Sequence, residues 1–417
     1  MNSKLNFILL IIFAFLITAL MSHTGSIALL AVPFLFYIGA GIFLSPRHVS
    51  LSGSRELNSF RCKQGEPVTM KLAIRNSGDA IPCLFFSDTE FSTQTIDEGR
   101  TTHSILLADN QTAEFQYTFR ASRGRYTWEG LKLNASDPFG LFPKEITLSA
   151  HATLLVLPDP VNIRRFLIYP GKTLRAPGPN LSRLPGHGTN FWGVREYHQG
   201  DSLRQINWRL TARHPQQFFS KEFEREEMAD IGFLLDARAA TNYQIASESL
   251  FEYSVSATSA LAQYLLNVGN RVSLLAFGDH LLRIFPGFGK RQLVKILDQL
   301  AACKPAEKDT IDTLRHIPTR LFPSESLIIL ISPLCLRDLD AIRRFRAEGY
   351  QVKVISPNPF SMFKQHIAKS EFNSFAMRTA QIERELLIGN IRQLGVELID
   401  WHVDQSLENS TAERYRR

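Results

Sequence analysis

The feature that most constrains this chain is a long stretch near its amino terminus without charged side chains. Residues 5–46 contain no Asp, Glu, Lys or Arg, and a polar patch from Ser22 to Ser26 divides them into two apolar blocks. Each block is close to the roughly 20 residues needed to cross a hydrocarbon core about 30 Å thick. The pattern therefore predicts a transmembrane helical hairpin over residues 1–48.

Basic residues flank this hairpin, whereas its turn carries none. Lys4 precedes it, and Arg47, Arg55, Arg61 and Lys63 follow it. Because Lys and Arg are enriched in cytoplasmic loops, we expect both ends to face the cytoplasm, with the chain in the bacterial inner membrane. The alternative for the first block is a cleaved signal peptide, although the block is long for one and a second apolar span follows it directly.

The remaining chain is too long for one hydrophobic core, since the whole sequence has 417 residues. Apolar residues recur with period two over residues 49–158, as in Val68, Met70, Leu72 and Ile74. Turn signals separate these runs, which predicts a small antiparallel β-sandwich. Residues 159–228 are rich in Pro, Gly and Arg but also in aromatic residues, so we interpret them as an ordered connector packed on the next domain.

Residues 229–404 alternate apolar strands with helical stripes, which predicts a doubly wound α/β domain with a parallel sheet. The predicted strands are residues 231–236, 272–277, 327–331, 352–355 and 396–401. The predicted stripes are Phe251, Val255, Ala262 and Leu265; Leu339, Ile342 and Phe345; and Ile382, Leu386, Ile391 and Leu394. Residues 405–417 are predicted to be a frayed polar tail.

The connector carries a long run of glycine, aromatic and charged residues. The positions that we single out are Gly188, Gly193, Arg195, Glu196, Tyr197, Gly200, Asp201, Arg204, Trp208 and Arg213. Upstream stand two shorter motifs, Arg123-Gly124-Arg125-Tyr126 and Asp137-Pro138-Phe139-Gly140-Leu141-Phe142. Together these motifs strongly resemble the signature of a bacterial family known only as a numbered domain of unknown function.

Members of that family look like membrane-anchored von Willebrand factor A-like proteins, often encoded beside MoxR-type AAA+ ATPases. The resemblance implies a von Willebrand A-like fold for the α/β domain. It also implies protein partners, foremost a MoxR-type AAA+ ATPase. Beside these, the predicted hairpin makes the lipid bilayer a partner.

The residue types of the connector motif indicate a charge network. Its glycines permit tight turns, and its arginines and carboxylates can form partly buried hydrogen-bonded pairs. We expect Gly200 and Asp201 to turn the chain so that Arg204 and Trp208 face the α/β domain, as a structural clamp. A partner-binding surface and a catalytic group are the alternatives for the same residues.

A metal-binding von Willebrand A domain places Asp-x-Ser-x-Ser after its first strand, because a carboxylate and two hydroxyls are hard ligands for Mg²⁺. The corresponding residues here are Asp236, Arg238 and Ala240, so both hydroxyls are missing. Arg238 could pair with Asp236 instead. We therefore predict a degenerate site with no metal, and no cofactor elsewhere.

Other chemistries find little support in the sequence. No phosphate-binding glycine loop follows a strand, and the four cysteines lie far apart, as ordinary reduced thiols do. The formal charge of +7 and the arginines around Trp208 are compatible with nucleic acid, but nearby acids such as Glu222 and Glu224 argue against a phosphate track.

The function that these observations predict is a membrane-anchored, non-enzymatic adaptor or scaffold. It would work with a MoxR-type AAA+ ATPase in assembly or chaperoning of envelope or metal-containing complexes. The alternative is a hydrolase that uses the region from His187 to His214, although no nucleophile motif unites those histidines.

Overall fold

The computed structural model describes residues 3–88, 94–161, 163, 166, 174–214, 216–245, 248–278, 281–306, 321–324, 326–366 and 371–412. The chain divides into two compact units, Met1–Leu157 and Pro158–Arg417. The boundary between them lies next to the end of the predicted β-sandwich segment at residue 158.

The first unit begins with helices α1 (Ser3–Ser22), α2 (Gly25–Leu29) and α3 (Val32–Leu44). Two segments, Ser3–Ser22 and Gly25–Leu44, are long and apolar enough to cross a membrane. The second segment is interrupted at Leu30 and Ala31, because Pro33 in the first turn of α3 has no N–H to donate and its ring crowds the carbonyl four residues earlier. The sequence analysis predicted one uninterrupted span here, although the apolar block includes this proline.

Nine strands follow in the described part of the first unit. They are β1 (Leu51–Leu57), β2 (Arg61–Lys63), β3 (Val68–Asn76), β4 (Ile81–Ser87), β5 (Gln94–Glu98), β6 (Thr102–Leu107), β7 (Thr112–Ala121), β8 (Gly124–Ser136) and β9 (Lys144–Leu157). They form a four-stranded sheet in the order β1-β3-β7-β5 and a five-stranded sheet in the order β2-β9-β8-β4-β6. All pairs are antiparallel except the short parallel pairing of β2 with β9.

The two sheets share one apolar interior. Met70 of β3 and Phe119 of β7 belong to the first sheet, and they cluster with Trp128 of β8 and Leu154 of β9 from the second. Alternate residues of β3 are buried, as the period-two pattern predicted, because successive side chains on a strand point to opposite faces.

The second unit begins with a two-stranded antiparallel ribbon. Its strands are β10 (Leu174–Glu196) and β11 (Phe219–Met228), and a 3₁₀ turn (Leu203–Gln205) and helix α4 (Trp208–Thr211) lie between them. Residues 174–228, which the sequence predicts to be an ordered connector, form this strand ribbon together with the turn and the short helix between its strands. Gly193 pairs with Glu222 within the ribbon, so it does not form the predicted turn, whereas Gly200 has a φ of +112° in a turn that favours glycine.

A six-stranded sheet forms the core of this unit. Its elements are β12 (Asp230–Asp236), the short hairpin β13 (Gln244–Ile245) and β14 (Glu248–Ser249), α5 (Leu250–Val268), β15 (Arg271–Phe277), β16 (Leu282–Gly287), α6 (Gly289–Ala302), β17 (Leu327–Ile331), α7 (Asp338–Ala347), β18 (Gln351–Asn358), α8 (Pro359–His366), α9 (Glu371–Gln393), β19 (Glu397–His402) and α10 (Leu407–Ala412). The strand order is β16-β15-β12-β17-β18-β19, and β13 pairs only with β14.

Helices cover both faces of this sheet. Phe233 and Ile329 point to one face, where they cluster with residues of α5 and α6, and Leu234 and Ile328 point to the other, with residues of α7 and α9. Five strands are parallel, as predicted. The edge strand β16 was missed and is antiparallel to β15, because a short hairpin joins them where the prediction required a crossover.

Two further expectations are corrected here. In the third predicted stripe, Ile391 is buried and Leu394 is partly buried as predicted, whereas Ile382 and Leu386 are exposed and Leu387 and Ile388 take their place on the buried face of α9. The tail is not frayed throughout, because α10 buries Leu407 in the core. Residues 413–417 lie outside the described residues.

Candidate functional site

The most completely buried polar cluster described in the second unit lies at the carboxyl edge of the sheet. β15 lies on one side of β12 and β17 on the other, so the strand order reverses between β12 and β17. Ligands of open α/β sheets bind in the crevice at such a point. Asp236 is the last residue of β12, and Ser332 directly follows β17, so both residues reach this crevice.

Arg238 forms a fork-shaped ion pair with Asp236 at this edge. Its Nε atom donates to Asp236 Oδ1 over 2.9 Å, and its Nη2 atom donates to Oδ2 over 2.7 Å. The backbone N–H of Arg238 also donates to Oδ1 at 2.9 Å. The two side chains are 4% and 0% exposed, so the pair that the sequence suggested is present and is shielded from water.

A second carboxylate completes the cluster from a distant part of the chain. Asp338, the first residue of α7, lies 2.8 Å from Arg238 Nη2 and also accepts the backbone N–H of Cys335. Burial by itself lowers the pKa of Arg238, but the hydrogen bonds and charges of Asp236 and Asp338 outweigh burial and raise that pKa above its ordinary value. Arg238 is therefore a permanent cation between two carboxylates.

Two hydroxyls donate to the same carboxylate. Ser332 Oγ lies 2.6 Å from Asp236 Oδ2, and Thr241 Oγ1 lies 2.9 Å from it. Ala240, which the sequence aligned with a ligand position, is exposed, whereas Thr241 beside it is buried. Asp236 thus accepts five hydrogen bonds, which leaves its oxygens no free direction for a ligand.

One cysteine thiol contacts this network, since Cys335 Sγ lies 3.4 Å from Arg238 Nη1. Burial and the charge of Asp338 raise the pKa of the Cys335 thiol above its ordinary value, so the reactive thiolate is disfavoured beside the site. Within the part of the chain that the structure describes, no group of three His, Cys, Asp or Glu side chains is placed to hold a metal ion. The cluster has the form of a closed internal ion network.

We expect that Mg²⁺ and Mn²⁺ do not bind at Asp236, because the Arg238 guanidinium already lies where a cation would have to approach both carboxylates. Isothermal titration calorimetry of the purified chain measures this directly. A stoichiometric heat signal that Asp236→Ala abolishes would contradict the expectation and identify a metal site.

The motif of the second unit forms a separate charge network around Arg195. Its Nε atom donates to Glu222 of β11 over 2.9 Å, and its Nη2 atom donates to Asp201 over 2.6 Å. The hydrogen bond from Arg195 lowers the pKa of Asp201. Arg195 therefore links β10, β11 and the turn between His198 and Asp201, but it is 38% exposed.

The structure corrects the expected direction of two motif side chains. Trp208 is 63% exposed and Arg204 is exposed as well, so they do not pack on the α/β domain. The segment buries Ile206 instead, which bridges to Ser220 of β11. Arg213 is also exposed. The Arg195 contacts therefore lie within the ribbon and its loop, and the side chains of Arg204, Trp208 and Arg213 are exposed.

Two histidines of the hydrolase alternative, His198 and His214, have described side-chain contacts. His198 Nδ1 lies 2.9 Å from Arg195 Nη1 and 3.0 Å from the carbonyl oxygen of Glu196. His214 packs on the ring of Phe219. His187 lies in β10, where its side chain is outside the described residues. Glu196 and Tyr197 close the end of the ribbon, where the Tyr197 N–H donates to Phe218.

Sequence reasoning missed Asp338 and Thr241. An acidic residue in the first turn of a helix is ordinarily explained by the helix dipole, so Asp338 gave no distinct signal. Thr241 stands one position after the expected ligand spacing. Thr241 reaches Asp236 within the loop that follows β12, whereas only the return of the chain through β17 to α7 brings Asp338 to Arg238.

The fold and site define an α/β protein with a closed arginine–carboxylate cluster at the switch point, preceded by a β-sandwich and two apolar helices. Comparison with known proteins adds a family relationship. Residues 193–357 match the sequence model of the family described as "Protein of unknown function DUF58". The match covers the end of β10, the motif loop and the sheet as far as β18.

One curated relative is the "Uncharacterized protein YeaD" of Bacillus subtilis (strain 168), which is 26% identical over 169 residues. This match covers 40% of the present chain and 39% of that protein, so the chain spans about two fifths of its relative's length. Both matches support a relationship to a family of unknown function, as the motifs indicated.

Solved structures resemble only part of the chain. Proximal thread matrix protein 1 from the mussel byssus is 17% identical, with a TM-score of 0.24, over 31% of this chain and 37% of that one. A β-glucosidase from Listeria innocua in complex with gluconolactone is 10% identical, with a TM-score of 0.13. This match covers 26% of the present chain and 17% of the β-glucosidase. TM-scores this low support no structural assignment.

Proposed function

We propose that this protein is a membrane-anchored, non-enzymatic adaptor whose motif loop binds a partner protein. The observation that carries the proposal is the exposure of large side chains on the loop between β10 and β11. Leu203 is 68% exposed and Trp208 is 63% exposed. Both lie within the stretch that matches the family of unknown function.

Trp208 is presented on a rigid support. The Asn207 side chain caps α4 by accepting the N–H of Leu210, and the Asn207 N–H donates to Phe219 of β11 over 2.7 Å. Arg195 fixes the preceding turn through Asp201. Exposed tryptophan and arginine on a preorganised loop are typical of residues that dominate protein interfaces.

The charges around Trp208 favour an acidic partner surface. Arg204, Arg209 and Arg213 are all exposed on the same loop. Positive patches accelerate association with negative surfaces and suppress wrong partners. By the family resemblance, the partner in this proposal is a MoxR-type AAA+ ATPase, which supplies the energy for assembly or chaperoning of envelope or metal-containing complexes.

The proposal includes a von Willebrand A-like α/β domain. The central position of β12 and the placement of Asp236 at its carboxyl end support it. The saturation of Asp236 by Arg238, Thr241 and Ser332 favours a domain that binds partners without a metal ion. The apolar segments Ser3–Ser22 and Gly25–Leu44 support anchoring in a bilayer, with the soluble part in the cytoplasm.

Truncation of Trp208 tests the adaptor function. We expect Trp208→Ala to weaken partner binding by at least about 2 kcal/mol, or roughly 30-fold, as buried aromatic anchors of interfaces do. The melting temperature should stay at the wild-type value, because the side chain is exposed. The measurement is co-purification from native membranes with mass spectrometry, scored only for an AAA+ ATPase.

Phe285→Ala is the matched control, since Phe285 is 60% exposed on the edge strand β16, which belongs to a different sheet from the ribbon that carries the motif loop. It should retain the ATPase. Retention of the ATPase by Trp208→Ala would contradict the adaptor surface. Loss of a hydrolytic activity in a folded His198→Ala or His214→Ala variant would instead favour the enzyme alternative.

A further inference from the structure

The turn formed by residues 137–142 lies against the apolar helix α3 within the first unit. The ring centroids of Phe139 and Tyr37 are 4.4 Å apart. A Cβ atom on Gly41 would lie 3.0 Å from Leu141 Cδ1 and 3.2 Å from Phe142 Cε2. The close approach of the turn therefore uses the space that a glycine leaves on the helix surface.

These contacts involve residues of α3 that precede the end of the apolar segment. Tyr37 stands seven residues before Leu44, where α3 ends, which corresponds to about 10 Å at 1.5 Å per residue. On the other helix, Lys4 Nζ lies 3.6 Å from a Cβ built on Gly140. A lysine at the end of an apolar span extends its ammonium group to the membrane interface, so Gly140 lies on the interfacial side of the turn and Phe139, beside Tyr37, lies on its deeper side.

The backbone N–H groups of residues 139–142 all have acceptors within the turn, which is what an apolar environment requires. Asp137 is fully buried, and its carboxylate accepts the N–H groups of Phe139, Leu141 and Phe142 over 3.0, 2.8 and 2.8 Å. Its carbonyl oxygen accepts the N–H of Gly140. The neighbouring residues at 138 and 143 are prolines and have no N–H.

One residue thus binds every backbone N–H group from 138 to 143. This matters because an N–H group that meets hydrocarbon without an acceptor costs several kcal/mol, whereas in water it needs no such provision. The side chains of the turn are apolar apart from the buried Asp137. Such a segment can leave water without exposing an unpaired donor.

We propose that the 137–142 turn is a membrane-interface element, which inserts beside α3 and contacts the acyl chains of bilayer lipids. It rests on the proposed membrane anchoring of the hairpin. In this way the turn holds the β-sandwich at the membrane surface. The lipid groups that it contacts are the acyl-chain segments next to the phospholipid headgroups. Asp137 is the positioning residue that makes this insertion possible.

Photocrosslinking of the full-length chain in phosphatidylethanolamine and phosphatidylglycerol vesicles tests the inference. The probe is p-benzoyl-phenylalanine at Phe139, with Phe36 as the hairpin reference and Phe60 as the matched control. Phe36 is 79% exposed on α3 and Phe60 is 73% exposed. Phe60 lies beyond the far end of β1, which separates it from the hairpin by seven strand residues, or about 23 Å.

We expect lipid adducts at Phe139 and Phe36, and none at Phe60, by mass spectrometry of the crosslinked peptides. An adduct at Phe36 without one at Phe139 would overturn the insertion of the turn and leave the anchor intact. Absence of adducts at Phe36 would overturn the anchor and the insertion together. Equal adducts at Phe60 would overturn the inference, because the contact would not be specific to the turn.

A second variant guards against disturbance of the turn by the probe. Pro138 is exposed, so the same probe placed there leaves the Phe139 side chain itself unaltered and adds one backbone N–H group at a water-accessible position. It should also give lipid adducts, and Asp137→Asn in this background should reduce them while the Phe36 signal persists. Failure of the probes at both 138 and 139 to label lipid would overturn the inference.

Discussion

Replacement of Arg238 by methionine is expected to lower the free energy of unfolding of the 158–417 unit by about 3–5 kcal/mol, the usual cost of breaking a buried ion network from one side. The change leaves Asp236 and Asp338 as buried carboxylates without a countercharge. Urea unfolding of the full chain in detergent, with pulse proteolysis to follow this unit, measures the loss.

Arg195→Met is the matched control for this change. Arg195 also contacts two carboxylates, Asp201 and Glu222, but it is 38% exposed, against 4% for Arg238. Water can solvate the carboxylates that Arg195 leaves, so we expect a clearly smaller effect. Equal losses in the two variants would contradict the distinction between a buried network and a partly exposed clamp.

A variant that also lacks the two buried carboxylates distinguishes the free-energy cost of unpaired charge from the cost of lost packing. When Asp236→Asn and Asp338→Asn accompany Arg238→Met, no buried charge remains, and much of the stability should return. If the triple variant is as unstable as Arg238→Met alone, the role of Arg238 is packing against neighbours such as Phe277. The distance from the guanidinium carbon of Arg238 to the centroid of the Phe277 ring is 5.2 Å.

Asp137→Ala is expected to have the second large effect. The change removes the acceptor of three backbone N–H groups, of which that of Leu141 is buried and those of Phe139 and Phe142 are partly buried. A buried donor left without a partner costs about 1–3 kcal/mol, so we expect the three together to cost about 3 kcal/mol. Thermal unfolding of the full chain in detergent should show the loss in the 1–157 unit.

Asp79→Ala controls for the loss of a carboxylate in the same unit. Asp79 is exposed and its side chain accepts the N–H of His48, so its removal should change stability by about 0.5 kcal/mol or less. If Asp137→Ala unfolds at the same temperature as Asp79→Ala, the turn does not depend on its carboxylate. The basis for its insertion beside α3 would then be lost.

The two apolar helices and the strands of the central sheet were predictable because local pattern determines them. An uncharged apolar block of about 20 residues can satisfy its backbone in a bilayer only as a helix. Buried parallel strands require continuous apolar runs, as in residues 327–331. The antiparallel edge strand β16 was less predictable, since Leu282–Gly287 includes a proline and an exposed Phe285.

The candidate site was only half predictable. Asp236 and Arg238 stand two residues apart, so their pairing could be read from the sequence, whereas Asp338 stands 100 residues beyond Arg238. In the motif loop, the prediction was wrong about which side chain is buried. Trp208 looked like a core residue by type, but the short loop that carries it buries Ile206 against β11 instead.

Local sequence pattern accounts for the two apolar segments and for the residue types that can pair within one turn. Which distant residues meet depends on how the strands are ordered in the folded sheets. The carboxyl ends of β12 and β17 are adjacent because the strands are parallel neighbours, and this brings Asp338 to Arg238. Likewise, the end of β8 returns to α3 only because the sandwich has folded, which places Phe139 against Tyr37. Local pattern carries no information about such contacts, because their geometry depends on the pairing order of whole strands.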